Sequence, residues 1–142
     1  MPDDGVRAAA LHGDCFPHGW SAGDFRRLAG GPPYIALAAW LDGKLAGILV
    51  ASFVGEEGEI LTFAVAPAFR RLGIASTLLK RLIEDAAQIG VKTIFLEVGR
   101  SNRAALALYE RCGFTIAGMR KGYYAAPSGL HEDALLMKRL CS

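Results

Sequence analysis

Residues 59–86, EILTFAVAPAFRRLGIASTLLKRLIEDA, read as a strand, a short loop and a long helix in immediate succession. Residues 60–65 are almost continuously apolar, the pattern of a strand buried on both faces. Pro67 ends that strand, since proline has no N–H to give to a ladder. Beyond the loop, Ala75, Leu78, Leu79, Leu82, Ile83 and Ala86 recur at helical spacing, while Lys80, Arg81, Glu84 and Asp85 take the other face. Gly90 is placed to stop the helix. The joint is the chemically interesting part. The first turn of a helix carries N–H groups with no intrahelical acceptor and a partial positive charge. Gly73 and Ala75 are small enough for an anion to approach that backbone, and Arg70 and Arg71 add charge beside it. This suits a phosphate or pyrophosphate. A plain strand–loop–helix with two solvated arginines would look much the same.

The bulk properties narrow the class. At 142 residues the chain is expected to form a single domain, residues 1–142, with a substantial core. A hydrophobic fraction of 52% against 21% charged residues is that of a globular protein. No apolar run is long enough to span a bilayer, and the first residues carry acids where a signal peptide would be basic. The reading is therefore cytosolic. A formal charge of +2 is too small to argue for nucleic acid or an anionic membrane as partner. Cys15, Cys112 and Cys141 are odd in number and lack CxxC spacing, which argues against a disulfide framework or a zinc site. Cys112 falls on an apolar helical stripe and reads as a small buried hydrophobe. His12, His18 and His131 are scattered, so no metal is expected.

Along the chain, residues 6–15 look helical. Gly19-Trp20-Ser21-Ala22-Gly23 matches the G-x-S-x-G elbow of serine hydrolases, but an elbow needs a buried strand before it. Ser21-x-x-Asp24 instead signals the start of a short helix through Phe25 and Leu28. Residues 34–41 and 44–53 are strand-like runs separated by Asp42-Gly43, a strong hairpin signal. Residues 55–58 make a second turn, into the strand at Glu59. Residues 93–98 read as a buried strand. Ser101 or Asn102 can cap a helix whose inner stripe is Ala105, Leu108, Tyr109 and Cys112, and Gly113 ends it. Residues 114–121 and 133–140 are the expected final strands, joined by a loop over 122–132. This order predicts an α+β domain with a mixed sheet. Its strand–helix–strand step places two parallel strands side by side, with the anion-suited joint at their end.

Glu97 stands inside an otherwise apolar strand, where a carboxylate is costly unless paired, solvated or used. It points to function, though a frayed strand end would also tolerate it. Tyr109 alone would more often be core packing, and Asn102 is most simply a cap.

The order Val65-Ala66-Pro67, then Arg70-Arg71-Leu72-Gly73-Ile74-Ala75, resembles the acetyl-CoA-binding motif of the GCN5-related N-acetyltransferase (GNAT) superfamily, Arg/Gln-x-x-Gly-x-Gly/Ala after a Val-x-Pro strand exit. Leu96-Glu97-Val98, Ser101-Asn102, Ala105, Leu108-Tyr109 and Gly113-Phe114 resemble the second half of the same fold. Cys15-Phe16-Pro17-x-x-Trp20-Ser21-x-x-x-Phe25, Tyr123-Tyr124 and residues 132–137, EDALLM, are similar to the ribosomal-protein-alanine (RimI-type) N-acetyltransferases.

The resemblance implies a mixed, mostly antiparallel central sheet flanked by helices. It implies direct transfer of an acetyl group from acetyl-CoA to an amine in a ternary complex, with no metal. A free α-amine has a pKa of about 7.7–8.0 and needs a base; the family places a glutamate where Glu97 stands. It places a tyrosine, the proton donor to the departing CoA thiolate, where Tyr109 stands. Acid–base help of this kind is worth roughly a hundred- to ten-thousandfold. Backbone of Phe63, Ala64 and Val65 would hold the pantetheine arm and the oxyanion. The amides from Leu72 to Ser76, beside Arg70 and Arg71, would hold the pyrophosphate, with Gly73, Ile74 and Ala75 between; Asn102 and Tyr109 would also face the cosubstrate. Trp20, Tyr123, Tyr124 and Glu132 are candidates for the acceptor end.

Two departures stand out. The family usually begins with a strand before its first helix, but only residues 1–5 precede that helix here, so the first strand reads as missing or vestigial. The family's Gly-Arg-Glu-Asp loop is replaced by Gly129-Leu130-His131-Glu132-Asp133. The expected acceptor is a protein N-terminal α-amine, foremost the N-terminal alanine of a small-subunit ribosomal protein. A lysine side chain, a small amine, or a non-catalytic CoA-binding module remain the alternatives.

Overall fold

The computed structural model describes the backbone of residues 33–125 and 131–141, and the side chains of 33–121 and 133–141. The helices predicted at 6–15 and after Ser21, the first strand read as missing or vestigial, Cys15 and Trp20 lie outside the described residues.

The described chain begins with a hairpin of β1 (Tyr34–Leu41) and β2 (Lys44–Val54). Asp42 and Gly43 at its tip have φ of 51° and 75°. A two-residue turn with both central residues left-handed matches the twist of the flanking strands, which is why Asp-Gly marks it so well. A second tight turn at Gly55-Glu56 leads into β3 (Glu57–Val65), so the turn is shorter and the strand longer than the sequence suggested. A 3-10 turn (Pro67–Phe69) follows, then α1 (Ile74–Gln88), β4 (Thr93–Gly99), α2 (Arg103–Arg111), β5 (Thr115–Ala125) and β6 (His131–Leu140). The last two strands extend four and two residues further into the expected loop, because cross-strand pairs such as Tyr124↔Glu132 continue the ladder there.

The six strands form one sheet in the order β1-β2-β3-β4-β6-β5. Among the described residues every strand pairing is antiparallel except β3 with β4. This is the mixed, mostly antiparallel sheet that the sequence predicts. The final hairpin inserts its second strand, β6, between β4 and β5.

α1 and α2 share one core cluster with the sheet. Leu78, Leu79, Leu82 and Ala86 of α1 are buried beside Leu49, Ile94, Leu96, Val98, Met137 and Tyr109. Each fully buried leucine of this kind contributes about 1.5–3 kcal/mol relative to exposure. Gly47 of β2 lets α1 approach: a Cβ there would stand 3.1 Å from both Ile74 Cγ2 and Leu78 Cδ1.

The parallel pair does not run the length of its strands. Only Glu57↔Thr93, Gly58↔Ile94 and Glu59↔Phe95 are in register. The strands then diverge, so residues 60–64 of β3 and 96–99 of β4 border a gap. For the same reason β3 is not buried on both faces: Leu61 is 38% exposed, and Phe63 and Val65 are half-buried.

Candidate active site

The gap between β3 and β4 opens where α1 begins. Gly73 is the N-cap of α1, left-handed at φ 79°, and among the described residues no side chain caps the helix. The first helical acceptor, the Gly73 carbonyl, receives the Thr77 amide at 3.0 Å and the Thr77 hydroxyl at 2.9 Å. The amides of the turn before Thr77 therefore point out of the helix toward the loop. Arg71 is also left-handed, at φ 66°, a conformation that costs a non-glycine residue about 1–2 kcal/mol. Arg70 folds back, its Nε donating to the Val65 carbonyl at 3.1 Å. The loop is thereby tied to the end of β3. Phe63, Ala64 and Val65 end β3, Arg70, Arg71, Leu72 and Gly73 make the loop, and Ile74, Ala75 and Ser76 open α1, so these candidates follow one another from the strand end to the helix start.

Tyr109 reaches the gap from the helical side. It is buried among core residues, with its ring 6.3 Å from that of Phe63 and 5.8 Å from that of Phe114. Asn102 is the N-cap of α2, its Oδ1 accepting from the Ala105 amide at 3.2 Å. Ser101 does not take that position.

Glu97 lies on the other side of the sheet. Ile94, Leu96 and Val98 face the helices and the core, so Phe95 and Glu97 face the opposite way. The Glu97 carboxylate is 21% exposed and pairs with Arg120 of β5, Oε1 to Nη2, at 3.3 Å. Pairing is how this strand tolerates a carboxylate between buried neighbours. The sequence did not single out Arg120. The signal that finds it is register, Glu97↔Leu136 on β6 and Arg120↔Ala134, which no local pattern encodes.

The acceptor-side candidates are only partly placed. Tyr123 and Tyr124 lie in β5 and Glu132 in β6, with Tyr124 opposite Glu132. Their side chains, like Trp20, lie outside the described residues. Nearby, Arg100 pairs with Asp133 at 3.4 Å, and the Arg100 amide donates to the Asp133 carbonyl at 3.0 Å. This closes the start of β6 onto the end of β4.

A strand gap ending at a glycine-capped helix start can take an extended arm and its pyrophosphate: strand backbone bordering the gap for the first, helix amides for the second. A carboxylate and a phenol on opposite faces of the gap are groups that can move protons on either side of a reacting centre.

Comparison with known proteins agrees with this geometry. The profile of the acetyltransferase (GNAT) family matches residues 6–114. The [ribosomal protein bS18]-alanine N-acetyltransferase of Salmonella typhimurium is 40% identical over 107 residues, covering 75% of this chain and 72% of that protein. The N-alpha-acetyltransferase RimI of Mycobacterium tuberculosis is 35% identical, over 96% of this chain and 86% of that one. The crystal structure of the ribosomal-protein-S18-alanine N-acetyltransferase from Escherichia coli superposes with a TM-score of 0.90 at 33% identity, covering 100% of this chain and 90% of that chain. The strand gap and the glycine-capped helix start are thus explained together with the sequence likeness: this chain belongs to the GNAT family and is an acetyl-CoA-dependent N-acetyltransferase.

Proposed function

We propose that the acceptor is the α-amine of a protein N-terminus, and first among these the N-terminal alanine of a small-subunit ribosomal protein. The observation that carries this is the likeness to relatives whose names state that acceptor, sustained over 75% of the chain. A ribosomal acceptor places the reaction in the cytoplasm.

Acetyl-CoA supplies an activated acetyl thioester. In this reading the amides of residues 72–76 and the Arg70-Arg71 pair hold its pyrophosphate, and the backbone of Phe63, Ala64 and Val65 holds its arm. Glu97 takes a proton from the acceptor ammonium, directly or through water, so that a neutral nitrogen attacks the acetyl carbonyl. A β3 amide stabilises the oxygen as charge builds on it. The C–S bond breaks as Tyr109 gives the departing sulfur its proton, and the second proton of the attacking nitrogen leaves through water to the tyrosinate, which restores Tyr109 and gives the neutral amide. Asn102, already engaged through Oδ1 in capping, retains its amide N–H groups for the cosubstrate. Trp20, Tyr123, Tyr124 and Glu132 shape the acceptor end.

Release of CoA thiol tests the proposal, with peptides of different N-terminal residues set beside free lysine and a polyamine. Turnover on alanine-starting peptides is expected, with kcat lower by roughly a hundredfold or more in Glu97→Gln and in Tyr109→Phe. Turnover on small amines alone overturns the protein acceptor and leaves the chemistry standing.

A further inference from the structure

We propose that Arg120 is a positioning residue for acetyl transfer, its guanidinium holding the Glu97 carboxylate in place across β6. The inference rests on the reading of Glu97 as the base.

Three features carry it. First, the pair is non-local. Glu97 is on β4 and Arg120 on β5, with β6 between them, so the two strands stand about 10 Å apart, two strand spacings. Two long side chains must both lean inward to close that distance to 3.3 Å.

Second, the row that Arg120 crosses is built of small residues. Two rows cross the three strands on this face: Glu97, Leu136 and Gly118, then Gly99, Ala134 and Arg120. The four positions flanking the diagonal from Arg120 to Glu97 are Gly99, Ala134, Gly118 and Leu136, and Leu136 is the one large side chain among them, standing beside Gly118. The guanidinium can lie over Ala134, whereas a larger residue there would lift it.

Third, the pair does little for stability. Arg120 is 59% exposed, and exposed ion pairs contribute little. Its geometric consequence is larger. Leu96 and Val98 are fixed in the core, so the backbone of Glu97 is rigid and only its side-chain torsions are free. A guanidinium presents directed N–H donors to a carboxylate. It selects one setting of those torsions, and a general base must sit within hydrogen-bond reach of the proton it takes.

A double-mutant cycle tests this, using kcat on an alanine-starting peptide and KM for acetyl-CoA. Arg120→Met and Arg120→Gln are expected to lower kcat by roughly ten- to a hundredfold while leaving KM for acetyl-CoA unchanged. Arg120→Lys should recover part of the loss. In the Glu97→Gln background, Arg120→Met should cost nothing further, because the group it positions is gone. Thermal melts confirm that each variant is folded. Full kcat in both Arg120→Met and Arg120→Gln overturns the inference, as do losses that multiply in the double variant. Full activity in Glu97→Gln alone is a different result: it removes the reading of Glu97 as base, and the inference falls with it.

Discussion

Glu97 Oε1 lies 3.3 Å from Arg120 Nη2, across a strand that belongs to neither residue. The pair lies on the face of the sheet opposite the helices, while Tyr109 approaches the β3–β4 gap from the helical side. The candidate proton acceptor and donor are thus held by different layers. Because the arginine is largely exposed, Arg120→Met should change unfolding free energy by no more than about 1 kcal/mol. Urea denaturation measures this independently of activity.

Asn102 separates two roles by substitution. Asn102→Ala removes the oxygen that accepts from Ala105 and should destabilise by about 1 kcal/mol. Asn102→Asp keeps an accepting oxygen and adds a charge favoured at a helix N-terminus, but it lacks the amide donors. Wild-type stability in Asn102→Asp, with a raised KM for acetyl-CoA, is expected if those donors serve the cosubstrate.

Gly47 controls the seating of α1. A methyl group there meets Ile74 and Leu78 side chains at 3.1 Å and the Ala64 carbonyl at 3.3 Å. Gly47→Ala should cost about 1–3 kcal/mol. It should also weaken CoA binding, because Ile74 is the first residue of the helix whose amides the anion would use. Calorimetric titration with CoA, beside a thermal melt, reads both effects.

Tyr109 packs between Phe63 and Phe114. Tyr109→Phe keeps those ring contacts and loses a hydroxyl, at a stability cost of about 1 kcal/mol. Tyr109→Ala empties the site and should cost about 3–5 kcal/mol. A large loss of kcat in the stable phenylalanine variant separates chemistry from packing.

Cys141 makes part of the stability depend on alkaline pH. Burial pushes its thiol above the ordinary value, and the positive charge of Arg139 offsets part of that rise. The native state therefore holds this proton more tightly than the unfolded chain does. The stabilisation is complete below the unfolded value of about 8.5 and is lost as the pH rises through the higher native value. Urea unfolding at increasing pH should show the wild type losing ground relative to Cys141→Ala over that window. Peptide-resolved alkylation should find Cys141 slow to react in the folded protein.

Much of the framework around the candidate site was legible because it is local. The Asp42-Gly43 hairpin follows from turn chemistry, α1 from its apolar stripe, and the cap at Asn102 from side-chain reach. The phosphate-suited loop reads directly from residues 65–76, since a strand exit, two arginines and a glycine before a helix are contiguous in the chain. Tyr109 was placed correctly on the inner stripe of α2. The ends of β5 and β6 were not legible, because pairing across a hairpin extends strands through residues with no apolar pattern of their own.

The sequence by itself determined which segments are strands and helices, where they turn, and that one helix begins as an anion would want it to. Only the tertiary structure decided that β3 and β4 part after Glu59 and Phe95, and that β6 enters between β4 and β5. Those two facts open the gap and bring Arg120 to Glu97. Side-chain periodicity states which face a residue takes, whereas neighbour and register are set by hydrogen bonds between segments far apart in the chain.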